Sequence, residues 1–159
     1  MIYKKNAALA KMCCSIGAQL CGASIKQIET VSNYGKYLGM AFQIQDDLLD
    51  IIAEENELGK TVGSDLLEGK KTFLFLKALE KAKGKDRVEL IKVITQKGVS
   101  RSEIEKYRNL YSRLGVLSDA EREIMKYTKL ALKNLSSLPN EDGKNMMIWL
   151  ANILISRRR

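Results

Sequence analysis

The sequence contains no histidine, a single proline and three cysteines, none of them in a CxxC pair. A zinc or haem-type centre built from imidazole or paired thiolates has no ligands to draw on. Cys13, Cys14 and Cys21 fall on one helical stretch and read as buried thiols of a reducing cytosol. Aromatic residues make up only 6%, with no Arg/aromatic interleaving of the kind that stacks bases, which argues against nucleic acid. No apolar run approaches the roughly 18 residues of a transmembrane helix. The N-terminal stretch MIYKKNAALA lacks the apolar core of a signal peptide. Together these absences point to a cytoplasmic protein without a membrane span.

What is present favours helix. Hydrophobic residues reach 45% of the 159-residue chain, enough for one domain over residues 1–159 with a real core. Lys, Leu, Glu and Ala are abundant, and Pro139 is the only proline, so the predicted class is all-α. The net charge of +8 suits an anionic partner: nucleic acid, a membrane surface or a phosphorylated small molecule.

Apolar periodicity predicts helices over about 3–22, 25–52, 72–82, 86–96, 101–114, 119–136 and 141–157. Ser100 with Glu103 and Ser118 with Glu121 read as capping boxes. Ile28, Val31, Leu38, Phe42 and Leu49 are the expected apolar side of the long second helix. Gly35 and Gly39 lie inside it, where each costs about 1 kcal/mol against Ala. Close helix packing is the expected reason. Residues 53–71 are polar and glycine-bearing, without sustained period, and read as a long loop with one short turn, of a kind that is usually functional or disordered.

Three carboxylates interrupt an apolar run in AFQIQDDLLDI, residues 41–51. On a helix, Asp46 and Asp50 stack on one face with Cβ atoms about 5–6 Å apart. Asp47 is rotated about 100° from Asp46. Like charges this close repel unless a cation sits between them, and Mg²⁺ is commonly held by one or two carboxylates plus substrate phosphates. A solvated acidic face is the alternative. The loop that follows supplies Lys60, Lys70 and Lys71, point charges suited to phosphate oxygens, and Asp65 as a further metal ligand. An ordinary mixed-charge surface loop is the alternative there.

YLGMAFQIQDDLLDI followed by GKTVGSDLLEGKKT resembles the second aspartate-rich region of the trans-prenyltransferases, the polyprenyl (isoprenyl) diphosphate synthases. The likeness lies in an ordered set: Gly39, Phe42-Gln43, Asp46-Asp47 with Asp50, Gly59-Lys60, Asp65, and Gly69-Lys70 with Thr72. KNAALAKMCCSIGAQLCGAS resembles the helix carrying the family's Lys-Thr pair, with Lys5 in the Lys position and Asn6 where Thr is usual. GVLSDAEREIMKYTKLALKNLSSLP resembles later helices. Family members run to roughly double this length and carry a first aspartate-rich motif upstream, which has no match here. The sequence thus resembles the C-terminal half of such an enzyme, and a missing N-terminal half is the implied partner.

The resemblance implies an isoprenoid synthase helical bundle and an Mg²⁺-dependent condensation of isopentenyl diphosphate with an allylic diphosphate. It also implies pairing of two copies as a homodimer. Asp46 would be the principal metal ligand, with Asp47, Asp50 and Asp65 in support. Gln43 would orient near the reacting carbons or the diphosphate. Lys5, Asn6, Lys60 and Lys70 would contact diphosphate oxygens, with Lys5 and Lys60 counted in the catalytic set. A non-catalytic or regulatory subunit of such a synthase, or a related class I terpenoid synthase, are the competing readings. The half-length chain on its own is expected to be inactive.

Overall fold

The computed structural model describes residues 3–53, 62–139 and 141–156. A π-type turn, Tyr3–Ala7, leads into α1, Ala8–Leu20, and the long α2, Ile25–Ile52. There follow α3 (Ser64–Leu67), α4 (Phe73–Lys81) and α5 (Gly84–Thr95). A 3-10 turn, Arg101–Glu103, precedes α6 (Ile104–Arg113), α7 (Val116–Leu135) and α8 (Glu141–Ser156). No strand occurs among the described residues, as the all-α expectation requires.

Helix ends follow local chemistry. Ser100 and Glu103 form the expected capping box. The second expected box does not cap: α7 already starts at Val116, so Ser118 lies inside it. Gly115, with φ of 68°, turns the chain directly from α6 into α7 and makes a longer connection unnecessary.

Two compact units emerge, one from Met1–Gln45 with Arg122–Arg158, the other from Asp46–Glu121. In the first, Tyr34, Leu38, Ala131, Leu135 and Ala151 form a buried cluster from α2, α7 and α8. In the second, Leu74, Phe75, Leu90, Val93, Tyr107 and Tyr111 are buried on α4, α5 and α6.

The buried stripe of α2 is Tyr34, Leu38, Ala41, Ile44, Leu48 and Ile51. Of the residues expected there, Leu38 is buried, whereas Ile28, Val31, Phe42 and Leu49 are half-buried. The thiols also depart from expectation. Cys13 and Cys21 are exposed and Cys14 is partly covered, because α1 presents only one side to α2.

Gly35 and Gly39 of α2 let that side of α1 approach closely. A Cβ on Gly35 would lie 2.6 Å from the Ala10 carbonyl oxygen, and one on Gly39 would lie 2.7 Å from Ala7 Cα. Gly39→Ala should gain about 1 kcal/mol of helix propensity. It should lose more, about 1–3 kcal/mol, because the colliding atom is main chain and the helices must part. Urea unfolding of this variant is expected to show a lowered midpoint; a raised one would mean the helices are not in close contact.

Candidate active site

The three motif carboxylates lie within five residues of α2 but meet three environments. Asp47 is only 5% exposed. Its Oδ2 accepts the Phe73 backbone N–H at 2.9 Å. That N–H opens α4 and has no partner within its own helix. Thr72 Oγ1 accepts from Phe75 N at 3.3 Å, so α4 is capped twice. The positive end of the α4 dipole stabilises the Asp47 charge.

Asp50 is half-buried and performs a similar task for α3. Its Oδ1 accepts the Ser64 hydroxyl at 2.6 Å and its Oδ2 accepts the Asp65 N–H at 3.0 Å. Its carbonyl accepts Gly63 N–H at 2.6 Å. Burial pushes the Asp50 carboxyl above the usual carboxylate range, the hydrogen bonds from Ser64 and Asp65 pull it back, and the Asp65 charge adds to the rise. Asp46 is exposed and has no hydrogen-bond or ion-pair partner among the described residues.

The C-terminus of α2 is closed by a residue that the motif does not contain. Arg108 on α6 donates from Nε to the Ile51 carbonyl at 2.8 Å and from a terminal nitrogen to the Ala53 carbonyl at 3.4 Å. A cation at this end offsets the negative pole of α2 beside its acids. Nothing local marks Arg108, since the pairing joins positions far apart in the chain. Thr72 carries a readable signal, a hydroxyl immediately before an apolar helical run. Tyr111 of the same unit has its hydroxyl buried with no partner among the described residues, and burial raises its pKa. It therefore stays protonated.

Asp65 and Lys70 engage each other. Lys70 Nζ lies 3.1 Å from Asp65 Oδ1 and 3.1 Å from Glu68 Oε2. These contacts, Glu68 first, raise the Lys70 pKa. Gly69 holds the turn before it with φ of 62°, where a Cβ would meet the Lys97 carbonyl carbon at 2.7 Å. The glycine of this Gly-Lys pair thus serves the backbone. Lys60 lies outside the described residues.

In the other unit, Asn6 Nδ2 donates to Gln43 Oε1 at 2.7 Å. Gln43 is 1% exposed. Two of the expected site residues thus meet, the Asn6 amide fixing the Gln43 side chain. Lys5 is exposed.

Among the described residues no group of three or more His, Cys, Asp or Glu could hold a metal by itself. The donors are carboxylate oxygens, which select a hard cation. An exposed Asp46, unpaired among the described residues, fits a hard divalent cation held through one or two carboxylates and completed by phosphate and water.

A family model described as polyprenyl synthetase matches residues 1–111. The chain is 36% identical to the short chain isoprenyl diphosphate synthase of Methanothermobacter thermautotrophicus, covering 99% of this chain and 48% of that protein. It is 37% identical to the geranylgeranyl diphosphate synthase of Sulfolobus acidocaldarius, over 100% of this chain and 48% of that one. The crystal structure of a decaprenyl diphosphate synthase from Rhodobacter capsulatus matches with a TM-score of 0.89 at 32% identity, over 99% of this chain and 49% of that chain. Polyprenyl synthase from Caulobacter crescentus, complexed with calcium and isoprenyl diphosphate, matches with a TM-score of 0.89 at 28% identity, over 99% and 48% of the two chains. The chain spans about half the length of the curated relatives it matches. An all-α isoprenoid synthase fold, an anchored aspartate-rich helix and a family match that takes in that whole segment lead to one conclusion: this chain belongs to the polyprenyl synthetase family of trans-isoprenyl diphosphate synthases.

Proposed function

We propose that this chain supplies the second aspartate-rich motif of a prenyltransferase that condenses isopentenyl diphosphate with an allylic diphosphate. The observation that carries the reading is the division of labour among the acids. Asp47 and Asp50 anchor the segment to backbone N–H groups, and Asp46 alone is turned outward. The calcium and isoprenyl diphosphate bound to the Caulobacter relative support a cation-assisted diphosphate site.

In this reaction the allylic C–O bond breaks and its electron pair leaves with diphosphate. The isopentenyl double bond then attacks the allylic cation, and a proton is lost from the new chain. Mg²⁺, when bound, neutralises the charge that develops on the leaving diphosphate. Asp46 would hold it, with Asp50 and Asp65 reaching it through water. Lys5, Lys60 and Lys70 would donate to diphosphate oxygens. Lys70 would exchange its contacts with Asp65 and Glu68 for phosphate, trading exposed ion pairs of small worth for a stronger one. Gln43, held by Asn6, would present its amide at a fixed angle. The working enzyme would unite this chain with the remaining half, pair as a homodimer and act in the cytoplasm.

Titration of pyrophosphate in the presence of Mg²⁺ tests the lysines. Lys5→Ala, Lys60→Ala and Lys70→Ala are each expected to weaken binding, with the differences shrinking as salt screens the charges. Unaltered affinity in all three variants would reduce these residues to ordinary surface lysines.

A further inference from the structure

The acid-bearing end of α2 runs out of partners within its own helix just past Asp50. The last four carbonyls of a helix have no N–H of that helix to accept. Here the Leu49 carbonyl accepts Ala53 N–H at 3.1 Å, and the Asp50 carbonyl accepts Gly63 N–H at 2.6 Å. The carbonyls of Ile51 and Ala53, both buried residues, depend on the single guanidinium of Arg108, through Nε at 2.8 Å and a terminal nitrogen at 3.4 Å. Arg108 belongs to a stripe of α6 that faces the same region. Ile104, one turn before it, packs so closely on Gly63 that a Cβ there would lie 2.7 Å from Ile104 Cγ2. Tyr111, about one turn after it, is buried near enough to Asp65 and Asp50 for both charges to act on its hydroxyl. Steps of four and three residues place Ile104, Arg108 and Tyr111 on one face.

We infer that Arg108 is a positioning residue for the metal: it touches neither cation nor diphosphate, and it holds the last turn of α2 so that Asp46 and Asp50 stand ready for one cation. The inference rests on the reading of Asp46 as a metal-holding carboxylate. Asp46, Asp47 and Asp50 crowd the negative pole of α2, so the turn that carries them is prone to open before a cation arrives. Asp46 and Asp50 share a face only while that turn stays helical. Arg108 brings an opposing charge and two donors at once, an arrangement that a planar fork provides and an ammonium does not. Without it, a cation would bind only those molecules whose last turn is formed, and its apparent affinity would fall by that fraction. The role is distinct from that of Asp47, which fastens the start of α4 and leaves the end of α2 untouched.

Calorimetry on the 159-residue chain tests this, with Mg²⁺ added at fixed inorganic pyrophosphate and, separately, pyrophosphate added without Mg²⁺. Arg108→Met keeps the apolar stem and removes the donors. It should weaken Mg²⁺ binding by about tenfold, as for a turn formed in roughly one molecule of ten. Pyrophosphate binding without Mg²⁺ should not change, since it depends on the lysines. Arg108→Lys should recover part of the loss, because it restores the charge but not the fork. Glu105→Gln removes the Arg108 ion pair at 3.2 Å and leaves the carbonyl bonds, so it should bind Mg²⁺ like the unsubstituted chain. Helical circular dichroism checks each variant; if Arg108→Met does not fold, Arg108→Lys against Glu105→Gln carries the test. Equal loss of both affinities would mean a general loosening and would overturn the inference, as would unchanged Mg²⁺ affinity in the folded Arg108 variants. Asp46→Ala distinguishes this failure from that of the underlying reading. It should remove most Mg²⁺ binding whatever Arg108 does, and intact Mg²⁺ binding in Asp46→Ala would overturn the reading of the acids and this inference with it.

Discussion

Asp46→Ala in the full-length enzyme is expected to lower turnover by about 10²–10³-fold, the range seen when one preorganised contact to developing charge is removed. The stability of the variant should be close to wild type, because Asp46 is exposed and engages no described residue. Asp47→Ala should behave in the opposite sense. It leaves the part-buried Phe73 N–H without this acceptor and weakens the start of α4, at a cost of about 0.5–2 kcal/mol, as for the loss of a helix cap. Neighbouring acids of one motif should therefore separate, one in kinetics across a range of Mg²⁺ concentrations, the other in denaturant midpoint. Wild-type rates for Asp46→Ala would remove it from the metal site. A full loss of turnover in Asp47→Ala without loss of stability would mean that its carboxylate serves the chemistry and not the cap.

The 159-residue chain without the rest of a synthase is expected to be inactive and to self-associate. Helix α1 buries none of its own residues completely, and Leu9, Met12, Ile16 and Leu20 form an exposed stripe. The remaining half of the enzyme is the proposed cover. Removing one such side chain from water is worth about 1.5–3 kcal/mol. Four of them rival the roughly 4–15 kcal/mol that association costs. Light scattering should give a mass above 17.9 kDa, and Leu9→Ser with Ile16→Ser should bring it down. Supplying the remaining half should restore Mg²⁺-dependent condensation. A monodisperse 17.9 kDa species with full activity would overturn the proposal, since it would need only one of two carboxylate clusters. Self-association unchanged by the α1 variant would move the contact to another surface.

The sequence by itself determined the helices. Ile25 to Ile52 is legible as one element because apolar spacing and the break at Gly22 act within a few residues of each other. The Ser100–Glu103 box is equally local. Where two local signals competed, as at Ser118, the chain followed the tighter turn at Gly115. The ordered Gly, Gln, Asp and Lys positions of the motif also identify the family without coordinates.

Only the tertiary structure decided what covers what. Periodicity sets the relative phase of side chains around a helix, but the covered face depends on elements distant in sequence. Tyr34, Leu38 and Ile44 are thus buried on α2 while Ile28 and Val31 are not. The same holds for the exposed thiols of Cys13 and Cys21. For the motif the consequence is functional. Three aspartates look equivalent in a linear pattern. They differ because Phe73 and Ser64 bring unpaired donors to Asp47 and Asp50, Arg108 closes the helix end below them, and no described residue takes up Asp46. A backbone N–H needs its acceptor within hydrogen-bond reach, a condition set in three dimensions and invisible along the chain.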